Sequence, residues 1–169
     1  MPAMRPIVAA FAVAAALAAG VAAYRAATSA EAAPSVPYTL LDGSRGDTGR
    51  LHGKVTLINF WATSCVTCMK EMPQIVATHR KYQARGYDTL AVAMSYDPPA
   101  YVARYAQTRA LPFGVAIDNT GAIARRFGDV QLTPTTLLVD KRGRIVKRFV
   151  GEPDFAKLHA LVEQLLAEA

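Results

Sequence analysis

The sequence predicts an α/β domain with a mixed central sheet flanked by helices. Two observations carry this. Apolar, β-rich runs alternate with helical patterns through the middle of the chain. A strand–turn–strand pattern followed by a striped helix then closes it, and that hairpin has to be antiparallel. A third observation, eighteen uncharged residues from Ile7 to Tyr24, sets a leader segment apart from the domain.

The elements follow in order. Val36 to Leu41 reads as a short strand that turns at Asp42-Gly43, and Ser44 to Gly53 as a loop. Val55 to Phe60 (VTLINF) is a central strand running into Trp61-Ala62-Thr63-Ser64-Cys65. A helix starts near Cys65, carries Ile75, Val76, His79 and Tyr82 on one face, is kinked by Pro73, and stops at Gly86. Thr89 to Ser95 is a buried strand, and Pro99 to Arg109 a helix with Tyr101, Val102 and Tyr105 on one side. Phe113 to Ile117 is a strand and Ala122 to Phe127 a short helix. Thr135 to Val139 and Arg144 to Val150 pair across Asp140-Lys141-Arg142-Gly143. Phe155, Leu158, Leu161, Val162, Leu165 and Leu166 stripe the last helix.

The N-terminal run follows Arg5 and precedes Arg25. Its length lies between a signal-peptide core of about 7–15 residues and a spanning helix of about 17–25. Residues 1–25 are therefore a signal-anchor or a signal peptide, with cleavage possible at Thr28-Ser29-Ala30 and Arg25 favouring the anchor. Positive charge at Arg5 holds that end inside and sends the rest out, so the protein is expected in the periplasm or its equivalent, attached to the inner membrane through residues 7–24, or soluble if cleaved. Residues 26–35 read as a linker and residues 36–169 as the domain.

Net charge is +6, but two of the 19 basic residues precede Glu31 while none of the 13 acidic ones does, so the domain itself is only mildly basic. This argues against nucleic acid, which needs a dense basic face. The hairpin charges Lys141, Arg142, Arg144, Lys147 and Arg148 read as a solvated strand guarded by charge, with contact to anionic lipid as the alternative.

The only two cysteines, Cys65 and Cys68, stand three apart at a predicted helix start. That spacing sets both sulfurs on one face, close enough to bridge. The first sulfur lies at the positive end of the helix dipole, which lowers its pKa, and the second is more buried. Cys65 is then the attacking thiolate and Cys68 resolves the mixed disulfide. No metal is expected. Zinc needs four ligands, and His52, His79 and His159 lie in three separate elements. Covalent haem needs a histidine after the second cysteine, where Met69 stands. Met69, Met72 and Met94 are better read as core than as soft copper ligands.

The segment Asn59-Phe60-Trp61-Ala62-Thr63-Ser64-Cys65-Val66-Thr67-Cys68, with Glu71 and Pro73 after it, resembles the active site of the TlpA and ResA type of membrane-anchored thioredoxin-like proteins. The similarity runs over about Val36 to Leu166. It implies a thioredoxin-like fold with an N-terminal β extension and a central β-α insertion near Phe113 to Phe127. It implies a catalytic group of Cys65, Cys68 and Glu71, with Glu71 as the base for Cys68 in place of the buried aspartate whose position Asn59 occupies. It also implies that Pro134 is cis, that Thr133 and Pro134 form the substrate-binding loop, and that Trp61 packs beside the site and contributes to recognition. No cofactor is implied beyond the redox-active Cys65–Cys68 disulfide. The partners implied are exported proteins with cysteine pairs, of cytochrome c or copper-site type, and a membrane thiol carrier as electron donor.

The chain departs from that family at Ser64, where an aromatic residue is usual, and at Val66-Thr67, where proline-containing pairs are common. Both positions tune potential and partner choice. A disulfide-donating oxidase on the same residues is the alternative enzyme, and a copper chaperone using the cysteine pair is the alternative outside catalysis. A peroxidase is disfavoured because Ala62 stands where a threonine is needed three residues before the reactive cysteine.

Overall fold

The computed structural model describes residues 31–168. The expected leader, residues 1–25, and the first part of the linker lie outside them. Among the described residues no helix is long and apolar enough to cross a membrane.

Eight strands and four helices follow the order β1 (Glu31–Ala32), β2 (Pro37–Thr39), β3 (Arg45–Asp47), β4 (Val55–Trp61), α1 (Val66–Tyr82), β5 (Tyr87–Ala93), α2 (Pro99–Thr108), β6 (Gly114–Ile117), α3 (Ala122–Arg126), β7 (Thr135–Val139), β8 (Arg144–Val150) and α4 (Phe155–Ala167). Six strands form one mixed sheet in the order β1-β8-β7-β4-β5-β6. β4 runs parallel to β5 and antiparallel to β7. β2 and β3 form a separate hairpin, tied to the sheet by a bridge between Leu40 and Ala116.

All seven residues of β4 are buried, the signature of a strand covered on both faces. Its period of two divides the core. Val55, Leu57 and Trp61 face a cluster with Met72, Ile75 and Tyr82 of α1, Val102 of α2 and Leu158, Val162 and Leu165 of α4. Ile58 and Phe60 face the opposite cluster, with Ile123, Phe127 and Val36. Asn59 shares the first face, so a polar amide points at α1 from the middle of an apolar strand.

Several expectations needed correction. Ser44 to Gly53 is not loop throughout: it holds β3 and a 3-10 turn at Thr48–Arg50, where Asp47 accepts from the Gly49 amide and Thr48 is buried. The end of the linker is not free, because Glu31 and Ala32 pair with Ile145 and Arg144 of β8. On α2 the core face is Val102 with Tyr105 and Ala106, while Tyr101 is 64% exposed. Tyr101 precedes Val102 by one residue, a rotation of about 100° that turns it away from the sheet. Pro73 lies inside α1, which runs from Val66 to Tyr82.

Arg142, Lys147 and Arg148 of the basic hairpin are exposed, as expected of a strand guarded by charge, and some of its charges also bind the fold. Arg144 pairs with buried Asp140 at 2.6 Å, Lys141 donates to the Leu166 and Glu168 carbonyls at the end of α4, and Arg148 donates to the Phe127 carbonyl. Asp140 also accepts from the amides of Arg142 and Arg144. The turn closes on Gly143 at φ +75°, a conformation that a side chain would strain. One of the five charges is thus neutralised by Asp140, and two more donate to carbonyls of neighbouring elements.

Asp140→Ala would strip three donors of a buried acceptor and leave Arg144 unpaired. Urea unfolding is expected to show a loss of about 2–4 kcal/mol. A loss under about 0.5 kcal/mol would mean that the turn holds without its carboxylate.

Candidate active site

The C-terminal end of β4 hands the chain to α1 through Ala62, Thr63, Ser64 and Cys65. Cys65 is the N-cap residue, extended at φ −86° and ψ 106°, and its sulfur accepts from the Cys68 amide at 3.1 Å. No acidic side chain lies in the first helical turn, while Arg80 and Lys81 lie in the last. The positive end of the helix dipole is therefore left for the sulfur, and cations complement the negative end. Cys65 and Cys68 form a disulfide with Cα atoms 5.2 Å apart. Cys65 is half-buried and Cys68 fully buried, so a partner can reach only the first sulfur. This is the asymmetry expected of an attacking and a resolving cysteine.

Glu71 follows Cys68 by three residues, hence on the same helical face, and is fully buried. It lies opposite Asn59, whose Nδ2 donates to Glu71 Oε1 at 3.0 Å and to Thr136 Oγ1 at 3.0 Å. Asn59 and Thr136 are direct cross-strand partners in the β4–β7 register, which explains their contact. Glu71 Oε2 has no hydrogen-bond partner among the described residues. Burial pushes the carboxyl up to about 7, partly opposed by the Asn59 hydrogen bond and reinforced by the negative charge of Glu152. Lys70 holds Glu152 in an ion pair at 2.8 Å.

The Thr133–Pro134 peptide bond is cis, as expected. It immediately precedes β7, whose Thr135 pairs with Phe60, so it stands at the same end of the sheet as the cysteines. The Pro134 carbonyl accepts from the Gly151 amide at 2.8 Å, and Thr135 Oγ1 donates to the Leu132 carbonyl at 2.7 Å. Neither the amide nor the carbonyl of Thr133 has a backbone partner among the described residues. Trp61 is placed differently from the expected recognition role. It is 0% exposed and packs on Tyr105 with ring centroids 5.3 Å apart, so its contribution is to the floor beneath the site.

Two residues escaped the sequence reading. Asp97, buried in the turn after β5, accepts from the Thr63 amide at 2.6 Å and from Thr63 Oγ1 at 2.5 Å. Tyr96, 57% exposed, meets Thr133 Oγ1 through its hydroxyl at 3.2 Å. A signal was available: Ser95-Tyr96-Asp97-Pro98-Pro99 is a turn at the C-terminal end of a strand parallel to β4, the end where α/β sheets carry their sites.

Two of the three histidines are engaged elsewhere. His79 contacts Thr89 through Nδ1 and packs against Tyr87 and Phe113, and His159 contacts Thr78. Among the described residues, no cluster of three or more histidine, cysteine or acidic side chains is arranged to hold a metal ion.

With this geometry in view, comparison with known proteins is informative. The Redoxin family model matches residues 28–163. Thiol-disulfide oxidoreductase ResA of Bacillus thuringiensis subsp. konkukian is 32% identical over 133 residues, 79% of this chain and 76% of that protein. Protein DipZ of Mycobacterium bovis is also 32% identical, over 73% of this chain but only 18% of its own length. The crystal structure of a thioredoxin-family thiol:disulfide interchange protein from Chlorobium tepidum superposes with a TM-score of 0.74 at 26% identity, covering 82% of this chain and 98% of that one.

The buried carboxyl makes a pH-dependent prediction for the oxidised protein. Its folded pKa lies above the unfolded value near 4.5, so its stabilising contribution is complete below about 4.5 and is lost as pH rises through about 7. Relative to Glu71→Gln, the wild type is therefore expected to lose stability between pH 4.5 and 8, by at most about 3 kcal/mol. Parallel stability–pH curves for the two proteins would show that the carboxyl titrates normally.

Proposed function

Because the chain belongs to the Redoxin family and is a thiol–disulfide oxidoreductase of the ResA type, we propose that it reduces disulfides in exported proteins outside the cytoplasm. The observation that carries the reading is the pairing of an accessible Cys65 sulfur at a helix N-terminus with a buried Cys68 and a buried, half-satisfied carboxyl behind it. The direction and the location follow the resemblance to the TlpA and ResA type. Cysteine pairs destined for haem or copper are the client class that this resemblance points to. The Ile7 to Tyr24 run is the proposed anchor, and a membrane thiol carrier the proposed electron donor.

The cycle starts from the dithiol. The Cys65 thiolate attacks one sulfur of the client disulfide, the client S–S bond breaks, and the first client thiolate leaves and takes a proton from water. Glu71 accepts the proton of the Cys68 thiol, a transfer suited to a carboxyl whose pKa lies near 7. The Cys68 thiolate then attacks Cys65 in the mixed disulfide. The second client thiolate departs with a proton, and the chain is left with the Cys65–Cys68 disulfide. Two electrons have passed to the client, and a dithiol of the carrier restores them by the same exchange. In this scheme the unpaired Thr133 backbone binds an extended client segment strand-fashion beside Cys65.

Run in reverse, the same atoms would donate a disulfide, so the reduction potential decides. Equilibration of the full-length protein with dithiol buffers is expected to give a value near thioredoxin's roughly −270 mV; a value near about −120 mV would make it an oxidant and overturn the reductase reading. Cys65→Ser is expected to abolish exchange, and Cys68→Ser to accumulate mixed disulfides. Turnover by wild type with no adduct on Cys68→Ser would reverse the order of attack.

A further inference from the structure

Two adjacent residues of the β5–α2 turn each grip a different wall of the site. Asp97 uses both carboxylate oxygens on Thr63, in the segment that delivers Cys65. Tyr96 reaches Thr133 on the cis-proline loop. The two walls come from chain segments some seventy residues apart, and β4–β7 pairing ends below them, at Phe60 and Thr135. Above that level, this turn is the connection between them that the hydrogen bonds define. Asp97 is 2% exposed, and the turn is stiffened by Pro98 and Pro99, so Tyr96 projects from a fixed base. Its ring is nevertheless 57% exposed, and large apolar side chains left open near this end include Val66 at 84%, next to Cys65, Leu132 at 65%, two residues before Pro134, and Val150 at 61%, opposite Thr135.

We propose that Tyr96 is a client-contacting residue and that Tyr96 and Asp97 together form a bracket setting the width of the client cleft between Thr63 and Thr133. This rests on the exchange reaction proposed above and adds a third side to its site. The side chains offered to the client, Val66, Leu132 and the Tyr96 ring, are apolar or aromatic, so the class preferred is a polypeptide disulfide with apolar residues flanking the attacked cysteine. A small disulfide enters without touching the cleft walls and is indifferent to the bracket. Asp97 acts through Thr63 and touches no substrate. It is a positioning residue.

The distinguishing experiment compares two electron acceptors for the prereduced full-length protein: insulin, whose disulfides lie in a polypeptide, and 5,5′-dithiobis(2-nitrobenzoate). Tyr96→Phe keeps the ring and removes the hydroxyl. It is expected to lower the rate constant with insulin about threefold to tenfold, the worth of one hydrogen bond, and to leave the small disulfide unchanged. Thr133→Val is expected to slow the reaction with insulin by as much, Thr133→Ser to keep the wild-type rate with insulin, and the double variant Tyr96→Phe/Thr133→Val to be no slower on insulin than the worse single one. Tyr96→Ala, which also removes the ring, is expected to lose more than Tyr96→Phe on insulin alone. Equal losses on both acceptors, additive losses in the double variant, or no loss in Tyr96→Phe would overturn the bracket while leaving the exchange reaction standing. A wild-type protein that reduces the small disulfide and not insulin would overturn the protein-reductase reading and the bracket with it.

Discussion

The structure depends on one strand that is buried along its whole length and must end where a helix begins. β4 has no solvent face, so each of its side chains has to be accommodated by the layers above and below. Burial fixes its register against β5 on one side and β7 on the other, because a slip of one residue would exchange its two faces. With the register fixed, the helix start, the cysteine at its cap and the loop that faces it across β7 have little freedom left. The reactive sulfur is thus held by strand pairing rather than by its immediate neighbours.

The same constraint accounts for the polar group that the core carries. Asn59 occupies a position where period-two burial calls for an apolar residue, and it is tolerated because Glu71 and Thr136 meet its amide. The arrangement is incompletely satisfied, since Asn59 Oδ1 and Glu71 Oε2 have no partners among the described residues. A carboxyl held this way has little to stabilise its charge, and it responds to a proton released nearby more readily than a solvated one would. The departure from full satisfaction lies three residues along α1 from Cys68, where the proposed exchange would use it.

Much of this was legible in the sequence, and for identifiable reasons. The VTLINF run, the Cys65–Cys68 spacing and the Leu132-Thr133-Pro134 segment are local patterns, and the strands, helix start and cis-proline loop follow them. What was not legible depended on contacts distant in the chain. Glu31 and Ala32 carry no strand signal of their own and become a strand because β8 offers them an open edge. Tyr101 and Tyr96 are both exposed aromatics, but only the folded chain shows that Tyr96 meets Thr133 on the cis-proline loop. The hairpin charges looked like surface decoration because their acceptors, the carbonyls of Phe127, Leu166 and Glu168, belong to other elements.

The short pairing of β1 with β8 has a mechanical meaning. Its two residues and the Ala33-to-Gly143 hydrogen bond join the start of the domain to the end of a strand. A pull on the chain before Glu31 meets these few bonds first. They would yield well before the interior sheet. Releasing residues 31–33 would free about 10 Å of chain at roughly 3.3 Å per residue, up to the segment that Asp47 and Thr48 hold at Pro34, Ser35 and Val36. A few residues of chain can thus be paid out under tension before Val36, which shares a cluster with Ile58 and Phe60 of β4, is disturbed.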